Sequence, residues 1–152
     1  MHIVLVEPEI PQNTGNIART CALTGTNLHL VKPLGFSVED RYLKRAGLDY
    51  WDKVDVKIWD SFAEFHKAYQ GHRFYLATTH AHRGYHEYKY EPDDIFVFGR
   101  ETRGLPAKIL EAYPKTQIRI PMVDIGRSLN LANSAAIILF EALRQNGYPG
   151  LK

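Results

Sequence analysis

The chain has a single cysteine, Cys21, among 152 residues. That excludes an internal disulfide framework, and a reducing compartment, the cytoplasm, is expected. Long hydrophobic runs are absent too. Nothing approaches the roughly 20 consecutive apolar residues that span a bilayer, so no membrane partner is expected. The opening Met1–Glu7 reads as a strand with no basic region before it, so neither a signal nor a transit peptide is expected. Nor does one charge dominate. Against 17 Asp and Glu stand 19 Lys and Arg, a net charge of +2, which permits a nucleic-acid partner without arguing for one.

Several familiar motifs are also missing. No Gly-x-Gly-x-x-Gly turn follows the first strand, which excludes an ordinary dinucleotide fold. There is no Gly-x-Ser-x-Gly elbow and no His-Glu-x-x-His helix, excluding the hydrolase and metalloprotease classes that need them. His80, His82 and His86 lack an acidic or cysteine partner at a ligating spacing, so they read as a solvated loop and no metal is expected. Cys21, beside Ala18 and Ala22, reads as a small core residue. Glu7 and Glu9 are too close in sequence to define a carboxylate pair.

What is present is a globular composition, 45% hydrophobic and 24% charged. Strands are expected at His2–Glu7, Asn27–Lys32, Val56–Trp59, Arg73–Thr79, Ile95–Phe98 and Gln117–Ile120. Helices are expected from a Thr14 cap to Leu23, over Phe62–Tyr69 behind Ser61, from Pro106 to Tyr113, and over Asn130–Asn146. Residues 37–54 read as polar and helical, and His80–Asp94, which has no clean period, as an exposed excursion. Strands alternating with helices indicate an α/β fold on a mostly parallel sheet. With no linker, repeat or low-complexity tract, residues 1–152 read as one domain. The last helix is apolar all round at Ala135–Phe140, so a second copy of the chain is the expected cover, giving a homodimer.

Three stretches that follow strands carry candidate chemistry, at the sheet edge where α/β proteins bind ligands. In Asn13-Thr14-Gly15-Asn16-Ile17-Ala18-Arg19, Asn16 and Arg19 share a helical face near a positive helix start, suited to an anion; a capped helix with a surface arginine is the alternative. Phe98-Gly99-Arg100-Glu101-Thr102-Arg103-Gly104-Leu105-Pro106 mimics the P-loop spacing, but Leu105-Pro106 stands where Lys-Ser/Thr belongs, so a kinase or GTPase is excluded. Its two glycines allow close backbone approach, either in a tight turn or in a binding loop. The third runs from Ile118-Arg119-Ile120-Pro121-Met122 through Arg127-Ser128-Leu129-Asn130 to Asn133. Its polar amides, at the mouth of a hydrophobic helix, either tie loops together or hold a ligand.

Together these stretches, with Glu7-Pro8-Glu9-Ile10-Pro11, Arg45-Ala46-Gly47-Leu48-Asp49-Tyr50 and Gly147-Tyr148-Pro149, closely resemble the SPOUT-type RNA ribose methyltransferases. Within that class the chain resembles the small YibK/TrmL family, over essentially its whole length. The resemblance implies a single-domain α/β knot, its C-terminal segment threaded as a deep trefoil. It implies S-adenosylmethionine as cofactor, S-adenosylhomocysteine as product, and 2′-O-methylation of the wobble nucleotide, cytidine or modified uridine at position 34, with leucine tRNAs as the expected substrates. Another RNA site, in rRNA or elsewhere in tRNA, and a non-catalytic knotted RNA-binding factor are the alternatives.

Carried over by position, the cofactor residues are Ala77, Thr78, Gly99, Glu101, Gly104, Ile120, Met122, Ser128 and Leu129, with Asn133 orienting the loops around them. The catalytic residue is Arg19, with Asn13 and Asn16 beside it. Arginine is always protonated, so Arg19 is expected to stabilise a developing alkoxide or orient an RNA phosphate, not to act as a base. Arg41, Tyr42, Lys44 and Arg45 are expected on the tRNA anticodon arm, and the homodimer is expected to form through the first and last helices. Arg100 departs from the class pattern of a proline or small residue, either adding a phosphate contact or facing solvent.

Overall fold

The computed structural model of the chain describes residues 1–39, Arg41, Arg45 and 50–152. Six strands form one parallel sheet: β1 (His2–Val6), β2 (Asn27–Val31), β3 (Val56–Trp59), β4 (Phe74–Ala77), β5 (Ile95–Phe98) and β6 (Gln117–Ile118), in the order β3-β2-β1-β5-β4-β6. Strand β1 lies between β2 and β5 and is buried along its whole length. A parallel strand covered on both faces needs an unbroken apolar run, which Ile3-Val4-Leu5-Val6 supplies.

Period two sends alternate residues of these strands to opposite faces. Ile3 and Leu5 of β1 join Leu28 and Leu30 beneath two helices, α1 (Pro11–Thr24) and α4 (Leu131–Gln145), which contribute Ile17, Cys21, Ile138 and Leu139. Val4 and Val6 face the other way, toward Phe65 of α2 (Phe62–Ala68) and Ile109 and Leu110 of α3 (Ala107–Ala112). Ser61 caps α2, its hydroxyl accepting from the Glu64 N–H at 3.2 Å.

The expected start of α1 is corrected. The helix begins at Pro11, not behind a Thr14 cap, and Ile10 at its N-cap supplies no side-chain bond. Proline is favoured at the first helical position because its missing N–H has no partner there anyway. Thr14 is fully buried inside the helix, its hydroxyl unpartnered.

The expected excursion over His80–Asp94 is also more ordered than its sequence suggests. Ala81, Gly84 and Tyr90 are buried, and Gly84 pairs with Arg119 beyond the end of β6. The side-chain amide of Gln145 on α4 accepts from Tyr90 N–H at 2.9 Å and donates to Tyr88 O at 3.0 Å, while Asn146 donates to Tyr90 O at 3.2 Å. No period marks this segment because its order comes from amides far away in sequence. Within residues 37–54, Arg41 and Arg45 are helical and exposed, and Trp51–Lys53 is a 3-10 turn. Tyr42 and Lys44 lie outside the described residues.

The strand order reverses between β1 and β5, and the loops after the strands gather at the carboxyl edge, where α/β sheets bind ligands.

Candidate functional site

At the carboxyl ends of β4, β5 and β6 lies a cavity of about 640 Å³, within the range of small-ligand pockets. It gathers residues that are far apart in the chain. Ala77 and Thr78 come from the end of β4, Gly99, Glu101 and Gly104 from the loop after β5, Ile120 and Met122 from the segment after β6, and Ser128 and Leu129 from the approach to α4. Asn13 of α1 completes one wall.

The loop after β5 is closed on itself. Arg100 and Gly104 exchange backbone hydrogen bonds at 3.1 and 2.9 Å, with Gly104 at φ +66°. A Cβ on Gly99 would lie 2.1 Å from the Gly104 carbonyl carbon, so only glycine allows this approach.

One buried asparagine joins the three motifs. The Glu101 carboxylate accepts from Glu9 N–H at 2.8 Å, Ile10 N–H at 3.1 Å and the Asn13 side-chain amide at 3.2 Å. A carboxylate only accepts, so the Asn13 amide must turn its NH2 to Glu101. Its oxygen then faces Asn130, whose own NH2 donates to it at 2.9 Å. The Asn130 oxygen is left to accept from Ala132 N–H at 2.9 Å and Asn133 N–H at 3.2 Å, capping α4. Every amide orientation is therefore set by its neighbour, and Asn13 is only 6% exposed.

The other expected site residues fall elsewhere. Asn133 is exposed and outside the cavity lining, because α4 starts after Asn130 and turns the Asn133 side chain outward. Asn16 and Arg19 are exposed on α1 and do not line the cavity. The Arg19 guanidinium lies over the Tyr50 ring, 4.9 Å from its centroid. Arg100 is half-buried at the cavity and forms an ion pair with Glu7. Reasoning from sequence missed Thr79, His80 and Arg119 on the cavity wall. Their position directly after β4 and β6 was the available signal.

A second buried polar group lies away from the cavity, on the face covered by α2. Trp59 donates its indole N–H to His29 Nδ1 at 3.2 Å, so the His29 proton sits on Nε2 and is donated to His2 Nδ1 at 3.0 Å. The Tyr69 ring packs edge-on against both imidazoles. Burial lowers the pKa of His29 to about 3 and that of His2 to about 4, in keeping with a pair that is neutral in this tautomer. Neither histidine was singled out in the sequence. Burial also pushes the Cys21 thiol up to about 12, the state of an inert core residue. Among the described residues no cluster of three or more His, Cys, Asp or Glu could hold a metal, and no helix is long and apolar enough to cross a membrane.

A parallel sheet whose carboxyl edge gathers three separated motifs around one cavity defines an α/β protein with a built ligand site. The chain belongs to the SpoU rRNA methylase family, whose model matches residues 1–140. It is 48% identical over 151 residues to the tRNA (cytidine(34)-2′-O)-methyltransferase of Escherichia coli (strain K12), covering 99% of this chain and 96% of that one. A solved structure from work on the 2′-OH methylation of C/U34 on tRNA matches with a TM-score of 0.92 at 44% identity, covering 96% of this chain and 95% of that chain. The SpoU methyltransferase AviRb from Streptomyces viridochromogenes, solved in complex with AdoMet, shares the fold at a TM-score of 0.85 and 23% identity, covering 96% of this chain and 60% of that one.

Proposed function

We propose that the chain is an S-adenosylmethionine-dependent tRNA ribose 2′-O-methyltransferase acting on the wobble nucleotide, with residues 1–152 as one catalytic domain. The observation that carries this reading is the junction at Asn13, which links Glu101 and Asn130 beside a cavity sized for the cofactor. Family membership and the names of the relatives at near 50% identity support the substrate; the leucine tRNAs and the trefoil threading rest on the resemblance alone. The donor set suits the cofactor, since Thr78 and Ser128 offer hydroxyls and Ile120, Met122 and Leu129 offer apolar surface for a purine. Bound there, the cofactor supplies an electrophilic methyl group.

The protein must then place a ribose oxygen in line with that methyl and stabilise the oxygen as its proton leaves. Arg19 is the group assigned to this role, held by its stacking on Tyr50. It stands outside its own chain's cavity, which fits a site shared between two copies. Leu23 of α1 and Ile137 and Phe140 of α4 are exposed apolar residues on the helices that would form that seam. Arg41 and Arg45, both exposed, are the basic residues that would contact the anticodon arm. A single mass corresponding to the monomer, by light scattering at micromolar concentration, would refute the shared site.

Nucleotide-resolution mapping of total RNA, with and without the protein, tests the substrate. Loss of 2′-O-methylation at tRNA position 34 is expected in its absence; loss at a ribosomal position instead, as the family description suggests, would move the substrate to rRNA. Arg19→Ala is expected to abolish turnover while calorimetry finds cofactor affinity intact. Equal loss of both would refute that division of labour.

A further inference from the structure

We propose that Arg100 is a positioning residue: paired with Glu7, it holds the loop after β5 closed against the loop after β1, and so shapes the cavity without touching RNA. The inference deepens the cofactor reading above and rests on it for what the cavity holds.

The geometry begins with register. In the β1–β5 ladder His2 lies opposite Ile95 and Leu5 opposite Phe98, a constant separation of 93 positions. Beyond the strand ends the backbones part, yet the side chains keep that separation. Glu7 pairs with Arg100 and Glu9 with Thr102, each 93 positions apart. The Glu9 carboxylate accepts from Thr102 N–H at 3.1 Å and from its hydroxyl at 2.8 Å. The ladder is therefore continued in side chains for two further rungs.

Those rungs hold what lies between them. Glu101 sits between Arg100 and Thr102 and reaches the same segment, its carboxylate accepting the Glu9 and Ile10 N–H groups. Opening either rung would release the carboxylate on which Asn13 depends. Arg100 also ties the loop through its backbone, which pairs with Gly104. The Glu7–Arg100 pair is largely withdrawn from water, with side-chain exposures of 19% and 31%. Glu7 also adopts φ +53°, a conformation uncommon for a residue with a side chain. Its N–H bond to Val31 O at 2.8 Å and its pair with Arg100 hold it there. The Glu7 carboxylate neutralises the guanidinium, which lowers its pull on a phosphate.

The test is a double-mutant cycle on the full chain with Glu7→Gln, Arg100→Gln and the double variant, with Arg100→Lys as the conservative control. Calorimetry with S-adenosylmethionine is expected to show about a tenfold loss for each single variant and no further loss in the double. Arg100→Lys should recover most of the affinity, and the tRNA KM and its salt dependence should stay at wild-type values. Hydrogen exchange, without cofactor, should quicken at the Arg100 and Gly104 amides in both single variants. Additive losses, or unchanged exchange, would overturn the strut. So would a raised tRNA KM with a flatter salt dependence in Arg100→Gln alone, which would make Arg100 a phosphate contact. If wild-type protein fails to bind S-adenosylmethionine, the cofactor reading falls, while the exchange result still decides the strut.

Discussion

Asn13 and His29 are both almost wholly buried, yet the networks around them are built in opposite ways. Asn13 joins residues from three distant parts of the chain, and its partners are loop and helix-end groups at the carboxyl edge of the sheet. His29 joins neighbours within the sheet, His2 on β1 and Trp59 on β3, beneath a helix that seals it. The first network contains a charge and stands beside an open cavity. The second is neutral and closes on itself. Both orient every polar atom, so orientation alone does not mark a functional site. What separates them is whether the ordered groups border space that a ligand can enter.

Breaking the first network should have the largest effect. Asn13→Asp keeps the shape but replaces the donor to Glu101 with a second carboxylate, leaving two like charges half-buried together. A loss of about 3 kcal/mol in stability and of measurable cofactor binding is expected, by denaturant melts and calorimetry. Native stability would mean that Asn13 does not bridge the motifs. Next comes His29→Ala, which removes a fully buried ring. We expect a loss of about 2–4 kcal/mol but wild-type turnover at a temperature where the variant is folded; a large fall in turnover there would erase the distinction between the two regions.

The pH dependence sharpens the contrast further. His2 and His29 have pKa values lowered by burial, so the unfolded chain takes up protons that the folded chain refuses. Their contribution to stability is complete above pH 6.5 and declines as pH falls toward 4. The slope should reach about 1.4 kcal/mol per pH unit for each histidine. Melts of His29→Phe across that range should show a shallower slope, and an unchanged slope would assign the acid sensitivity to other groups. The smallest effect is expected at Lys32, whose pair with Asp60 at 2.8 Å stands in solvent. Lys32→Ala should leave the melting temperature within error, because exposed pairs are screened and held at an entropic cost.

Much of this was legible in the sequence, for reasons that are local. The apolar runs of β1 and β5 and the Ser61 and Asn130 caps each depend on a few adjacent residues. The loop residues expected at the cofactor, Ala77 and Ile120 among them, carried no local signal; they were named through the family resemblance, and they line the cavity. The start of α1 was misjudged because Thr14 looks like a cap, whereas Pro11 can begin a helix without one. The 80–94 segment was underread because its hydrogen bonds come from Gln145 and Asn146. His2 and His29 carried no local signal at all; each sits where a strand simply needs an inward-facing residue.

The sequence by itself determined the alternation of strands and helices and the motifs that pack against the carboxyl edge. Periodicity, capping and turn chemistry act over a few residues, so no knowledge of the fold was needed to read them. Only the tertiary structure decided which of those residues meet. Glu7 reaches Arg100, and Glu101 reaches Asn13, because the strand order sets β5 beside β1 and because the parallel register carries on past the strand ends. Contacts across some ninety positions depend on that order, and nothing local in the chain encodes it.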